Sequence, residues 1–403
     1  MYDIIVLGAG PAGSYLAHKA ARLGYNVVVL ERQARVGGKT CCTGIISKEC
    51  HDMLAPDRSL TLRQASSANL FAPSGKSVRV HRDNIQAHII DRPALDYTLA
   101  TKAQEEGAQY LLSVNAKDIS IGKGSVQVKA SAHDRPQAFE ARVVAITTGF
   151  GSKLPQRLGL GDINHFALGA QVEVASSGID EVEVFLDQEL APGFFAWLVP
   201  TSGNKAKVGL LSQHSPHVYL EILLSKLQRQ GKIIPAEADI SHSGIPLKPL
   251  PKTYGDRVIV IGDAAGQVKP TTGGGIYYGL LCAEIAANTL HQAFLADDLS
   301  AKQLSRYQKE WHKRLGKELK IDYWARRFYE KLDNQQIDHI FHIIKSNGIH
   351  ESILASPDVS FDWHSNVILD AIKHKSLQRV VQRFNIITPL TNSAAKRHRR
   401  KDE

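Results

Sequence analysis

The chain has 403 residues, of which 43% are hydrophobic and 22% charged, with four cysteines and a formal net charge of +9. These values exclude a disulfide-stapled secreted scaffold and a low-complexity disordered chain, and no apolar run approaches the roughly 20 residues that a membrane-spanning helix needs. Met1 leads straight into "YDIIVLGAG", with no basic n-region or cleavage site, so the chain reads as unprocessed and cytoplasmic.

In chain order, residues 3–8 form an apolar strand, residues 11–23 have helical spacing with Ala and Leu on one face, and residues 26–31 form a second apolar strand, a βαβ unit. A glycine-rich loop follows, "RVGGKTCCTGIISKEC" from Arg35 to Cys50, which carries three of the four cysteines. A helix is expected at "PALDYTLATKAQEEG", with Pro93 at its start and Gly107 at its end. From about 165 to 213, "ALGAQVEV", "EVEVFLD", "FFAWLVP" and "KAKVGLLS" alternate or run apolar between turns, as antiparallel strands do. "DRVIVIGDAAG" returns to the earlier style, and from about 275 the pattern is mostly helical. The expected fold class is α/β, a Rossmann-type framework with an inserted antiparallel β-sheet and a helical C-terminal region.

Gly8, Gly10 and Gly13 stand as G-x-G-x-x-G between a strand and a helix, and Glu31 ends the next strand 18 residues later. Gly8 permits the tight turn, Gly10 lets the backbone approach a pyrophosphate, and Gly13 lets helix and strand pack closely. The pyrophosphate would rest on the helix N-terminus, and Glu31 would accept hydrogen bonds from ribose hydroxyls. This fingerprint leaves FAD and NAD both open.

A second stretch separates them. "VIVIGDAAGQVKPTTGGGIYYG" places Gly262 and Asp263 at the end of a strand, then Pro270, Gly273, Gly274, Gly275 and Ile276 at the start of a helix. It resembles the second FAD motif of the p-hydroxybenzoate-hydroxylase-like flavoproteins. The resemblance implies FAD, with Asp263 on the ribityl chain and the helix N-terminus at the flavin N1–C2=O edge, where negative charge gathers on reduction. It also implies cofactor contacts at Ala12, at Arg32, Lys39 and Thr40 after the second strand, and at Arg92, which would meet the phosphates. The expected FAD-binding domain covers 1–160 and 245–295, the substrate-binding sheet 161–244, and the helical region with its basic tail 296–403. Thr148 stands before Gly149 where the hydroxylase branch has Asp, a departure from an aromatic hydroxylase.

Three elements resemble the geranylgeranyl reductase branch: "CCTGI" at 41–45, "FFAWLVP" at 194–200, and Tyr307, Trp311 and Gly316 in a long helix. The resemblance implies a reductase that transfers hydride from flavin N5 to a C=C bond of a prenyl chain carried on a diphosphate, lipid or quinone. Its catalytic residues would be Cys41, Gly44 and Trp197, with Cys41 over the isoalloxazine as acid or alkene-orienting group. Phe194, Phe195, Trp197 and Leu198 would line the prenyl channel. Phe195 replaces the branch's usual Tyr, Thr201 a frequent Lys, and Cys42 a glycine. A monooxygenase or halogenase acting on an aromatic or lipid substrate is the alternative. An iron–sulfur-bearing quinone dehydrogenase is excluded, because only Cys282 follows residue 50.

Among the cysteines, the spacing argues against a metal site, a vicinal pair would be strained as a disulfide, and Cys50 reads as structural. The electron donor is left open between NADPH and ferredoxin, since no second dinucleotide fingerprint follows a strand. Leu304, Tyr307, Trp311, Leu315 and Leu319 form one helical stripe opposite Lys309, Lys313, Lys317 and Lys320. Core packing is the first reading of that stripe and membrane-surface contact the second. From residue 301 onward there are 20 Lys and Arg against 12 Asp and Glu; the basic tail at 394–403 reads first as a solvated, disordered terminus, second as attraction to anionic lipid headgroups, and third as nucleic-acid binding, and the basic region could also receive an acidic ferredoxin. Nothing else in the sequence supports nucleic-acid binding.

Overall fold

The structure is a computed structural model that describes residues 1–38, 40–234, 239–356 and 360–382. The chain divides into two compact units, each built from three segments. The first holds Met1–Thr40, Asp91–Phe166 and Gly244–Gly316; the second holds Cys41–Ile90, Ala167–Ser243 and the chain from Lys317 onward. Residues 41–90, expected within the nucleotide-binding domain, therefore belong with the inserted sheet. Their strands Ser67–Phe71 and Ser77–His81 complete that sheet, which is why they leave the framework that precedes them.

The first unit is organised on a parallel sheet. Tyr2–Leu7 lies at its centre, paired in parallel with Arg135–Ile146 on one side and Val27–Leu30 on the other. Val258–Val260 extends the sheet beyond Arg135–Ile146 and Gln109–Leu111 beyond Val27–Leu30, both in parallel. Ile4, Ile5, Val6, Val27, Val28 and Val29 are fully buried. That accounts for their unbroken apolar runs, since a parallel sheet covered on both faces has no solvent side to alternate toward. Helix Pro11–Arg22 makes the first crossover with Pro11 at its opening turn, and helix Arg92–Glu105 is capped by Asp91, whose carboxylate accepts from the Ala94 N–H at 3.0 Å.

In the second unit a seven-stranded sheet runs in the order Ser241–Pro246, Phe166–Ala175, Lys205–Ser212, Ala196–Pro200, Val182–Phe185, Ser67–Phe71, Ser77–His81. Only the contact of Val182–Phe185 with Ser67–Phe71 is parallel among the registers described. Strand alternation splits its side chains between two faces. Val172, Leu198, Val208 and Leu210 point into a core closed by Leu220, Leu223 and Leu227 of helix Pro216–Arg229. The opposite face carries Gln171, Lys207, Gly209 and Trp197, which meet across the strands in the pairs Gln171–Gly209, Trp197–Gly209 and, one step along, Glu173–Lys207.

The long helix Ala301–Tyr329 settles the two readings of its stripe in favour of packing. Leu304, Tyr307, Trp311 and Leu315 are fully buried, while Lys309, Lys313, Lys317 and Lys320 are exposed. Within the first unit its polar anchors are specific. The Tyr307 hydroxyl donates to the Val260 carbonyl at 3.0 Å and accepts from Gln267 Nε2 at 2.8 Å, and Gln267 Oε1 in turn accepts from the Gly262 N–H at 2.8 Å. Trp311 Nε1 donates to Thr253 Oγ1 at 3.0 Å. No helix among the described residues is long and apolar enough to cross a membrane. The basic tail at 394–403 lies outside the described residues.

The Tyr307 hydroxyl is buried with two partners that would be orphaned without it. Tyr307→Phe is expected to cost about 1–3 kcal/mol in denaturant unfolding, the penalty for stranding buried polar groups. An unchanged midpoint would show that water replaces the hydroxyl without loss.

Candidate active site

The cofactor cradle is built wholly from the first unit. Gly8 has φ +105°, and a β-carbon there would lie 2.7 Å from the Thr147 carbonyl oxygen. A β-carbon on Gly13 would lie 2.1 Å from the Gly8 carbonyl oxygen, inside any tolerable contact. Gly10 is different: its φ of −72° suits any residue, and a β-carbon would meet nothing within 4 Å. Sterics within the protein thus demand glycine at 8 and 13, whereas at 10 the missing side chain leaves open space in front of the helix N-terminus.

The turn is held from two sides. Glu31, almost fully buried, accepts from the Ala9 N–H through Oε2 and from the Gln33 N–H through Oε1, both at 2.8 Å. Thr147 Oγ1 donates toward the carbonyl oxygens of Leu7 at 2.8 Å and Gly8 at 3.0 Å. Glu31 therefore organises the glycine turn itself, a role the fingerprint alone did not announce; its remaining lone pairs are what a ribose could meet. Beside it, the Thr148 hydroxyl is buried with no hydrogen-bond partner among the described residues.

Helices Pro11–Arg22 and Ile276–Leu295 of this unit both start without a side-chain cap. Gly10 caps Pro11–Arg22 and Gly275 caps Ile276–Leu295, neither with a side chain to satisfy the first N–H groups. Uncapped N-termini with glycine caps suit a pyrophosphate at one and an electron-rich ring edge at the other. Gly262 has φ +71°, and Gly275 leaves no room for a β-carbon, which would sit 2.6 Å from Asp263 Oδ1. The loop between them is self-bonded, with the Gly273 N–H donating to the Lys269 carbonyl at 2.8 Å. Pro270 is buried in that loop and Ile276 half-buried at the first turn of the helix. Arg92 Nη1 donates to Asp96 at 2.6 Å in a buried pair. Burial pushes the Asp263 carboxyl up to about 6, against the opposing pull of Arg92, and Asp96 is likewise pushed up to about 6 by burial. Arg32 is exposed, and Thr40 donates to the Gly37 carbonyl at 3.3 Å. Lys39 lies outside the described residues. Ala12 sits between the two helices, 3.4 Å from where a β-carbon of Gly262 would be. The open space at Gly10, the two uncapped N-termini and the unpartnered Thr148 hydroxyl fit a bound dinucleotide.

The cysteine loop is built wholly from the second unit. Gly44 has φ +82° and ends the loop as strand Ile45–Ser47 begins; its N–H lies 3.4 Å from Cys42 Sγ. Two side chains of the sheet hold the loop. Lys207 Nζ donates to the carbonyls of Cys42 at 3.2 Å and Thr43 at 3.1 Å, and Thr43 Oγ1 donates to Gln171 Oε1 at 3.1 Å. Ser241, near the Cys41 thiol, is fixed by donating to the Gln171 carbonyl at 3.0 Å. Burial pushes the Cys41 thiol up, opposed by Ser241 and Lys207, so it is a neutral thiol at neutral pH. All four cysteines are free thiols, and Cys50 and Cys282 are fully buried.

Trp197 lies over Gly209, whose β-carbon would be 2.6 Å from Trp197 Cζ2, and its buried indole N–H has no hydrogen-bond partner among the described residues. Phe195 packs beside it with ring centroids 5.8 Å apart. Of the four aromatic and aliphatic candidates, the structure groups these two. Leu198 points the other way, into the core under helix Pro216–Arg229. Phe194 is fully buried with the Arg326 guanidinium 3.2 Å from its ring centroid. Neither presents surface on the Trp197 face.

Two outcomes follow from the cradle. Gly10→Ala should match the parent's melting temperature when both are freed of flavin, yet lack the bound flavin absorbance as purified, since its β-carbon meets only the space the cofactor would use; retained flavin would remove Gly10 from the site. Hydroxyl donors prefer the ionised Asp263 carboxylate, so binding lowers its pKa and affinity must fall as pH drops through about 6. Titration with FAD at pH 5 and 7.5 should show weaker binding at pH 5 in the parent and a flattened difference in Asp263→Asn. An equal pH dependence in both would place the titrating group elsewhere.

Comparison with known proteins shows the family to which the chain belongs. The model of a family described as lycopene cyclase protein matches residues 3–344. Digeranylgeranylglycerophospholipid reductase 2 of Methanopyrus kandleri is 32% identical over 354 residues, covering 84% of this chain and 89% of its own length. Digeranylgeranylglycerophospholipid reductase 1 of the same organism is 30% identical over 373 residues, covering 87% and 99%. Among solved structures, a geranylgeranyl bacteriochlorophyll reductase-like protein from Thermoplasma acidophilum shares the fold with a TM-score of 0.82 at 22% identity, over 97% of this chain and 98% of that one. The chain belongs to the lycopene cyclase protein family and, within it, is an FAD-dependent oxidoreductase of the geranylgeranyl reductase group.

Proposed function

We propose that this enzyme saturates C=C bonds in the prenyl chains of a membrane-type lipid, with glycerol-linked geranylgeranyl chains as the first substrate class. Kinship to reductases named for digeranylgeranylglycerophospholipids supports the substrate class. The observation that carries the chemistry is the loop holding a neutral Cys41 thiol against the sheet face that bears Trp197 and Phe195. FAD, when bound and reduced, supplies the hydride that adds to one alkene carbon. The other carbon needs a proton, because an isolated alkene is a poor hydride acceptor unless positive charge develops on it. Cys41 Sγ–H donates that proton, and solvent reprotonates the thiolate. Trp197 and Phe195 provide an apolar, electron-rich surface for the alkene, on which developing positive charge is favoured by the aromatic faces. Gly44, in a conformation that side chains resist, turns the chain back into the sheet so that the loop stays short.

Asp263 and Arg92 hold the ribityl chain and phosphates in this reading, and Glu31 the ribose. The electron donor is NADPH or a ferredoxin; the exposed lysines of helix Ala301–Tyr329 offer an acidic ferredoxin a basic surface. A peripheral position at the inner membrane face follows from a lipid substrate.

The test is anaerobic. With the bound flavin reduced by dithionite, a geranylgeranylated glycerolipid should reoxidise it and gain two hydrogens per double bond. If the flavin stays reduced with every prenyl substrate but consumes oxygen with an aromatic one, the enzyme is a monooxygenase. Cys41→Ser should retain FAD and lose about 10²–10⁴-fold in rate, the usual contribution of a positioned general acid. An equal loss from Cys42→Ser would move the assignment to the neighbouring thiol.

A further inference from the structure

We propose that Lys207 is the positioning residue of the reductase site: its ammonium grips the two carbonyls that follow Cys41 and fixes the thiol for proton delivery. The inference rests on Cys41 being the acid. Three observations in the second unit carry it. The first is reach. Lys207 Nζ donates to the Cys42 carbonyl at 3.2 Å and to the Thr43 carbonyl at 3.1 Å, so one cation holds two successive peptide groups. Successive carbonyls in an ordinary extended segment point to opposite sides. Gathering both onto one ammonium fixes the local backbone, and with it the direction of the adjoining Cys41 side chain.

The second is placement. Ala206, Val208 and Leu210 of the same strand are fully buried against helix Pro216–Arg229, which obliges Lys207 to stand on the face of Gly209 and Trp197. An apolar side chain would satisfy the strand equally well there. A half-buried lysine costs desolvation, which the two carbonyl oxygens offset. The third is charge. The groups acting on the thiol are Ser241, Cys42 and Lys207, and of these Lys207 carries the formal charge. Glu173, opposite Lys207 in the neighbouring strand, is engaged by Lys205 at 3.3 Å. A cation near a buried thiol eases release of its proton, countering burial, which alone would make the thiol too weak an acid.

Lys207→Met and Lys207→Arg in the FAD-bound protein test this. In a Cys42→Ser background, where Cys50 and Cys282 are buried, the rate of Cys41 alkylation by iodoacetamide is followed against pH. The proposal expects the Met variant to shift that profile to higher pH and the Arg variant to restore it. In turnover, the Met variant should lose about 10- to 100-fold in kcat with KM within about twofold, the size expected when a reacting group is displaced by about 1 Å. A profile that does not move, or a Met variant with unaltered kcat, overturns the proposal, even if stability falls. If the profile shifts as expected but Cys41→Ser remains fully active, Lys207 positions a thiol that is not the acid, and the reading of Cys41 fails separately.

Discussion

A side chain cannot exist at Gly13, because its β-carbon would collide with the carbonyl of Gly8, and the first unit is arranged around that close approach. It draws helix Pro11–Arg22 tight against the end of the central strand. The first N–H groups of the helix are then left uncapped in front of Gly10, where nothing fills the space. Glu31 and Thr147 hold the turn from the neighbouring strands, and Tyr307 and Gln267 hold the second glycine turn through Gly262. Each such bond contributes only about 0.5–1.5 kcal/mol net, but each would strand a buried partner if lost. In the proposed site a dinucleotide would meet backbone N–H donors already held in place.

In the second unit the same economy is achieved by strand alternation. One face of the sheet is consumed by the core under helix Pro216–Arg229, and the other is left for Gln171, Lys207 and Trp197. Because the period is two, a one-residue slip would bury Lys207 and expose Leu210, so the core enforces the register that presents the polar face. Burial keeps the Cys41 thiol protonated, which suits proton donation and disfavours a nucleophilic thiolate.

The glycine fingerprint, the second motif and the apolar parallel strands were legible in the sequence because each rests on a local rule: a turn needing positive φ, a helix start, or a two-sided sheet. What was not legible depends on tertiary contact. The segment 41–90 looked like a continuation of the nucleotide-binding framework, yet its strands Ser67–Phe71 and Ser77–His81 complete the other sheet, and its remaining three strands form a small sheet of their own. "FFAWLVP" offered four ring-bearing or branched candidates, and only its strand phase separates Trp197 and Phe195 from Leu198. The signal for Lys207 was present in "KAKVGLLS", where Lys205, Lys207 and Gly209 alternate with Ala206, Val208 and Leu210, but alternation says which face a lysine occupies and not what it holds. Glu31 was read as a ribose ligand; its two backbone partners emerge only once the strands are side by side.

The central claim is that reduced flavin and Cys41 together hydrogenate an isolated prenyl double bond. A single-turnover mixing experiment tests it most directly, with dithionite-reduced enzyme and a geranylgeranylated glycerolipid under anaerobic conditions, following flavin absorbance and product mass together. The account predicts flavin reoxidation in step with addition of two hydrogens per double bond, with both slowed equally in Cys41→Ser. Reoxidation without a saturated product, or undiminished rates in Cys41→Ser, would contradict it.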